Sequence, residues 1–429
     1  MTLLLAAALL ALALLGAPLF AVIAASALLG FYREGMDLAV VAINIYGLSD
    51  MPVLLAIPLF TFAGYVFGES AAPQRLVRVT HALLGWLRGG LAVVSLVTCA
   101  LFTAFTGASG VTIVALGAVL YPALRQGGYP DRFSLGLITT SVSLGLLFAP
   151  ALPLILYGVV AQQLTLDQPV RIDDLFRAGI LPGLAMIAVL SAWSAWRAPA
   201  ALVAGSSFSR REAFAALRES AWELPLPFVI LGGIYGGYLA LSEAAAVTAL
   251  YAVLVEVVIR REISLAKLRE VIRESMVLVG GILIILAVSL ASTNYMIDAE
   301  VPTRLFELIR GQISDKWTFL ILLNCFLLAL GMLLDIFSAI VIVVPIILPV
   351  AIAYGIHPIH LGIVFLANMQ IGYITPPVGM NLFIASYRFE RPVMEVYRAT
   401  LPFFFLLLGL VLVFTYWPQL SLFLLQQPG

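Results

Sequence analysis

The sequence predicts an all-α polytopic membrane protein made of two inverted repeats, each with a re-entrant helical hairpin and a broken transmembrane helix. Three observations lead there. The 429 residues are 62% hydrophobic and 11% charged, with a mean hydropathy of +1.09, where a soluble domain is roughly half apolar and a quarter charged. Apolar runs near the length that crosses a bilayer recur along the whole chain. Several of those runs are interrupted by residues that a lipid-facing helix cannot carry, and the interruptions recur in the same order in both halves.

Apolar stretches at 2–30, 52–69, 132–161, 177–197, 276–297 and 400–425 are each long enough to cross. The first lacks a basic start and is too long for a signal peptide, so it reads as a retained segment. Its "GAP" at 16–18 is placed to kink or split it. Residues 224–259 would form a helix of about 54 Å, too long for a core of about 30 Å. The polar step "LSEAA" at 241–245 is expected to divide them into two short spans. Regions 90–124 and 317–352 are also too long for one crossing. Each is interrupted near its middle, by "TGASG" (106–110) and "LLDIFSA" (333–339), and reads as a hairpin that enters and returns. The last broken span covers 358–388 and holds "IGYITPPVGMN" (371–381). Its paired prolines lack N–H groups and free carbonyls where there is no water, which requires burial in protein or a polar cavity. The segment 132–161 is broken in the same way by "APALP" (149–153). The longest polar stretch, about 197–223, is expected to be a loop.

This layout puts 17 of the 23 Lys and Arg residues on one side, in segments 75–88, 125–132, 197–218, 260–273 and 388–398. That side is expected to be cytoplasmic, with the C-terminus outside. Zero net charge and no basic block make nucleic acid an unsuitable partner. Cys99 and Cys325 are isolated, and His81, His357 and His360 share no zinc spacing.

The halves match at a nearly constant offset. "PQRL" (73–76) meets "PTRL" (302–305), "YPAL" (121–124) meets "LPVA" (348–351), Gly136 meets Gly362 and Pro150 meets Pro376. The order in each is span, short amphipathic helix opening with Pro, hairpin, broken span. The expected division is 1–260 for the first repeat with its connecting spans and 261–429 for the second. The hairpins and broken helices form a transport core, and the remaining spans a scaffold. Five crossings separate the copies, an odd number, so the second is inverted. Inverted repeats with broken helices meeting at mid-membrane mark secondary transporters.

Each hairpin tip is expected to face the break of its own repeat. The first cation-binding site would combine Thr106, Gly107 and Ser109 with Ser141, Ser143 and Gly145. The second would combine Asp335 and Ser338 with Asn368, Gly372, Thr375 and Gly379. Ser109, Gly110, Pro150, Pro376 and Asn381 would border the substrate. A hard cation such as Na⁺ takes oxygen ligands, which unwound carbonyls and Ser, Thr and Asn side chains supply, and half-helix N-termini suit an anion. No row of acids forms a proton relay, and Na⁺ is the only metal expected. Asp335 reads equally as a helix N-cap or a ligand, and Ser109 and Ser338 could simply bond back to the preceding turn. Glu243 reads as a turn residue, His357 and His360 as interfacial, and Phe403–Phe405 with Trp417 as lipid contacts and belt anchors.

At these residues the chain resembles the large membrane subunit of the tripartite ATP-independent periplasmic (TRAP) transporters. The likeness spans "GYPDRFSLGLITTS" (128–141), "LPLILYGVVA" (152–161), "GGIYGGYLALSEAAAV" (232–247), "DIFSAIVIVVPIILPV" (335–350) and "GYITPPVGMNLF" (372–383). It implies a multi-pass protein of the bacterial inner membrane that takes up a C4-dicarboxylate or other carboxylate by Na⁺ symport. It also implies an elevator-type fold, a periplasmic solute-binding protein and a small four-helix membrane subunit, expected here as a separate chain. Many relatives carry two prolines and Ser at the first break and Ser-Gly-Ser at the first tip, where this chain has "APALP" and "TGASG". The rival reading is a standalone ion-coupled anion transporter that needs no binding protein. An intramembrane enzyme is disfavoured, because no Ser–Lys, paired-Asp or His-Glu-x-x-His constellation appears in the spans, and no cofactor is expected.

Overall fold

The computed structural model describes residues 9, 11–12, 15–87, 89–164, 166, 169–198, 208–313 and 315–425. The start of the 2–30 run, Arg88 and the middle of the 197–223 loop lie outside the described residues. Within them all regular structure is helical. Seven helices are long and apolar enough to cross a membrane, or eight if a bent pair counts as one span.

Both interrupted regions form paired helices. Gly90–Thr106 and Ser109–Gln126 meet at a two-residue corner, and Lys316–Leu333 and Ile336–Ala353 at another. The first corner turns because Gly107 adopts φ +66, a left-handed conformation open to glycine at little cost. Each pair begins and ends at the same place. A Cβ on Gly127 would sit 2.9 Å from Leu91 Cδ2, and Lys316 Nζ donates to the Gly355 carbonyl at 2.9 Å. The short helices ahead of the pairs, Ala72–Leu84 and Val301–Arg310, each carry Pro in the first turn, where its missing N–H costs nothing.

The broken spans follow. Asp131–Leu147 and Leu152–Gln162 are bent by 40°. Pro358–Gly372 gives way to an irregular stretch before Met380–Phe389. Both matched glycines of the repeat are packed across the molecule. A Cβ on Gly136 would lie 2.1 Å from the Ala399 carbonyl in the last span, and one on Gly362 2.7 Å from the Tyr157 ring. The second helix of each pair likewise packs on the far half's broken span: Ser109–Gln126 on Met380–Phe389, and Ile336–Ala353 on Leu152–Gln162. The helix Ile172–Arg197 runs against the first break, close enough that a Cβ on Gly179 would strike the Leu147 carbonyl, and against Pro358–Gly372.

In a second group of helices, Leu241–Val253 and Leu265–Asp298 both pack on Ala56–Glu69, which in turn meets the first helix pair. Leu19–Arg33 and Ala39–Gly47 attach to Leu265–Asp298 through a separate small core of Ala27, Phe31, Val41 and Ala291.

Several expectations change. The turn after residue 224 falls at 236–240, not at 241–245, because Glu243 accepts the Ala240 N–H and so opens the helix Leu241–Val253. Of the two outcomes expected at "GAP", a kink or a split, the structure has the chain turn at Gly16 with φ +89 and a helix start at Leu19. The span read as 276–297 belongs to one helix from Leu265 to Asp298, started by the Ser264 hydroxyl capping Lys267 N–H. The helix Ala39–Gly47 was not foreseen, since its apolar run is too short to register as a crossing. Part of the expected loop forms the helix Arg210–Glu219. Phe403 does not face lipid. It is buried against Phe133 and Trp193 at ring distances of 5.7 and 4.8 Å. His360 is equally buried, bonded to the Ser421 hydroxyl at 2.7 Å.

Candidate functional site

The first break is held by threonines from the first helix pair. Unwinding after Ser141 frees the Val142 carbonyl, which accepts the Thr103 hydroxyl at 2.6 Å; Thr103 also bonds Thr112 at 2.6 Å. Those bonds join both arms of the pair to the break, in a place where an unpaired carbonyl would cost several kcal/mol. Gly145 lets the backbones touch: a Cβ there would lie 2.3 Å from the Ala100 carbonyl. A Cβ on Gly107 would lie 2.5 Å from Leu152 Cγ, so the corner abuts the far side of the same break.

Of the residues expected in the first cation site, Thr106 is fully buried and its hydroxyl faces the Ala108 carbonyl at 3.4 Å. Ser141 and Ser143 donate to Ile138 and Thr140, each at 3.1 Å, and so bond within the turn before the break. The Thr140 hydroxyl beside them is buried without a hydrogen-bond partner among the described residues. Ser109 points elsewhere. It donates to Asn381 Oδ1 at 2.8 Å, and a Cβ on the adjacent Gly110 would meet Ile384 at 2.8 Å. Ser109 and Asn381, both expected near the substrate, are therefore bonded to each other, and Gly110 lies against the same helix at Ile384. Asn381 Nδ2 is buried and has no hydrogen-bond partner among the described residues.

The second pair meets its own break directly. Gly379 N–H donates to the Met332 carbonyl at 3.2 Å, and Ile336 N–H to the Tyr373 hydroxyl at 2.6 Å. Gly331 and Gly372 bring two backbones together: a Cβ on Gly372 would lie 2.5 Å from Gly331 Cα. Asp335 caps its helix, Oδ1 accepting the N–H groups of Phe337 and Ser338, both at 3.0 Å. Ser338 is buried one turn on. Asn368 Nδ2 donates to Asn324 Oδ1 at 2.7 Å and to the Val364 carbonyl at 2.8 Å, while Asn368 Oδ1 is buried without a hydrogen-bond partner among the described residues. Thr375 bonds back to the Ile371 carbonyl at 2.8 Å, and Gly379 supplies φ +52 where the chain re-enters a helix. Pro150 and Pro376 sit in the two irregular stretches, Pro150 buried and Pro376 half-buried.

The result is two oxygen-rich breaks without a lysine or arginine among them, with the Ser109–Asn381 bond tying the first corner to the second broken span. Such an arrangement can hold a hard cation through carbonyl, amide and hydroxyl oxygens and can offer N–H groups to an anion. Among the described residues no cluster of three or more His, Cys, Asp or Glu residues could hold a metal ion. Participants missed from sequence include Thr103, Thr112, Asn324 and the Tyr373 hydroxyl. Asn324 carried a usable signal, a lone amide in an 18-residue apolar helix, since a buried amide demands partners.

A family model described as "Tripartite ATP-independent periplasmic transporter, DctM component" matches residues 3–420. The C4-dicarboxylate TRAP transporter large permease protein DctM of Rhodobacter capsulatus is 33% identical, over 91% of each chain. The isethionate TRAP transporter permease protein DctMQ of Oleidesulfovibrio alaskensis is also 33% identical, over 86% of this chain; the chain spans 58% of that longer protein. The crystal structure of the Alcanivorax borkumensis YdaH transporter is similar in fold, with a TM-score of 0.62, 15% sequence identity and coverage of 90% and 88%.

Proposed function

The chain belongs to the DctM component family of tripartite ATP-independent periplasmic transporters, and on that premise we propose that it is the large permease subunit of a Na⁺-coupled importer of an organic acid. As a permease subunit it is not an enzyme. The substrate class is a carboxylate, C4-dicarboxylates foremost. The related isethionate permease is named for a different organic anion. A periplasmic binding protein would deliver the substrate to the inner membrane, and a small four-helix subunit, on a separate chain, would complete the permease.

The observation that carries the reading is the pair of oxygen-lined breaks, each reached by the corner of a helix pair. In this proposal both pairs are re-entrant, Na⁺ occupies both breaks, and the substrate anion sits near Ser109, Gly110 and Asn381. Pro150 and Pro376 border it by keeping the adjacent backbone open. The helix pairs and broken spans would then move together against the group around Ala56–Glu69 and Leu265–Asp298, as in an elevator.

The test is uptake into proteoliposomes that hold the chain with its small subunit, using candidate binding proteins loaded with labelled organic acids. Uptake that requires both the loaded binding protein and a Na⁺ gradient supports the proposal. Uptake of free substrate without a binding protein would instead favour a standalone transporter. Ser338→Ala and Asn381→Ala are expected to raise the Na⁺ concentration for half-maximal uptake; unchanged Na⁺ dependence in both would remove the second break as a cation site.

A further inference from the structure

The helix Ile336–Ala353 of the second pair carries Pro345 within its length. Proline has no N–H, so the carbonyl four residues earlier, that of Val341, lacks its helical donor. The missing bond comes from outside the pair: the Ser289 hydroxyl, on Leu265–Asp298, donates to that carbonyl at 2.8 Å. Ser289 is 4% exposed and Val341 1%. Losing the bond there would leave a carbonyl unpaired and out of water, which is costly.

Thr293 lies one turn beyond Ser289 on nearly the same face of its helix, about 6 Å along the axis. It is 2% exposed, and its hydroxyl has no hydrogen-bond partner among the described residues. Membrane threonines commonly bond back to the preceding turn, and this one does not. The two helices run in the same direction. The base of the pair lies beside the chain that leaves Asp298, since the Tyr354 hydroxyl donates to the Ile313 carbonyl at 2.7 Å and the Tyr354 and Phe306 rings are 5.4 Å apart. A step of one turn toward that base therefore carries the Val341 carbonyl from Ser289 to Thr293.

We propose that Ser289 and Thr293 are positioning residues for translocation, two resting points one turn apart for the Val341 carbonyl. The inference rests on the elevator reading above, in which the helix pairs move against the group that contains Leu265–Asp298. Pro345 frees the carbonyl, Ser289 holds it in the register seen here, and Thr293 stays idle until the pair moves. Between the two the carbonyl is unpaired, so the packed helices settle in one register or the other.

Spin labels on Val277→Cys and Ile321→Cys, both exposed positions, test this in the full chain in nanodiscs by pulsed electron spin resonance. Cys325→Ser removes the exposed native thiol; Cys99 is buried. Two distances differing by up to about 6 Å are expected. Ser289→Ala should move their ratio about fivefold toward the displaced register, and Thr293→Val about fivefold toward the present one. Ser289→Thr and Thr293→Ser, which keep the hydroxyls, should restore the parent ratio. A role confined to satisfying Val341 predicts no response to Thr293→Val, and that result overturns the proposal. Shifts of the same sign in Ser289→Ala and Thr293→Val overturn it as well. A single distance that neither Na⁺ nor any variant moves would remove the elevator itself, whereas two distances indifferent to the variants remove only the resting points. Should Ser289→Ala not fold, Thr293→Val decides, because Thr293 makes no hydrogen bond in the present register.

Discussion

The Ser109 hydroxyl donates to Asn381 Oδ1 at 2.8 Å across 272 residues of sequence, and this bond joins the first helix pair to the second broken span. A buried hydrogen bond of this kind contributes about 1 kcal/mol. Ser109→Ala and Asn381→Ala are each expected to raise the substrate concentration for half-maximal uptake by about fivefold. In the double variant the effects should fall short of additive by about 0.5–1.5 kcal/mol, as for residues in direct contact. Full additivity in uptake measured across the four proteins would show that the two act separately.

Asp335 offers a way to separate a cap from a charge. Asn caps a helix about as well as Asp, so Asp335→Asn should keep the melting temperature while Asp335→Ala loses about 1 kcal/mol. If the carboxylate also faces Na⁺, Asp335→Asn raises the Na⁺ concentration for half-maximal uptake. The same Na⁺ response in Asp335→Asn and the parent would leave Asp335 as a cap alone.

The backbone approach at Gly372 should be intolerant of a methyl group. A Cβ there meets Gly331 Cα and C at 2.5 Å, so main chain must shift, at a cost of about 1–3 kcal/mol. Gly372→Ala is expected to lower the melting temperature by several degrees. Gly409→Ala in the helix Val393–Tyr416 is the comparison: a Cβ there meets nothing within 4 Å, and Ala favours helix over Gly by about 1 kcal/mol. A thermal shift of equal sign in both would refute the packing argument.

Asp131 gathers three donors from distant segments: Arg391 at 3.0 Å, Arg125 at 3.0 Å and the Tyr121 hydroxyl at 2.7 Å. These side chains are partly exposed, so each ion pair contributes about 0.2–1 kcal/mol. Asp131→Asn should therefore destabilise by about 1 kcal/mol in low salt and by less in high salt, where exposed charges are screened. Melting curves across a salt series check this; a loss that ignores salt would place the effect in packing.

The interruptions were legible because glycine, proline and polar residues in an apolar run have few physical outcomes. Gly107 and Asp335 turn the chain within the predicted intervals 106–110 and 333–339. Partners were less legible. Nothing local in "TGASG" says that Ser109 will face Asn381 while Thr103, on the other arm of the corner, secures Val142. The three phenylalanines at 403–405 look alike in sequence, but successive helical residues point about 100° apart, and Phe403 alone faces Phe133 and Trp193. Short helices such as Ala39–Gly47 escaped notice because they form against Leu265–Asp298, and tertiary packing leaves little trace in a nine-residue window.

The crosswise docking of each pair's second helix on the opposite half has a consequence for dissection of the gene. Neither half encloses its own flank, so a fragment expressed alone would leave the face around Gly110, Gly117 and Tyr121, or that around Leu152–Gln162, without its natural cover. Split products should accumulate only when both pieces are co-expressed, each acting as the other's folding template.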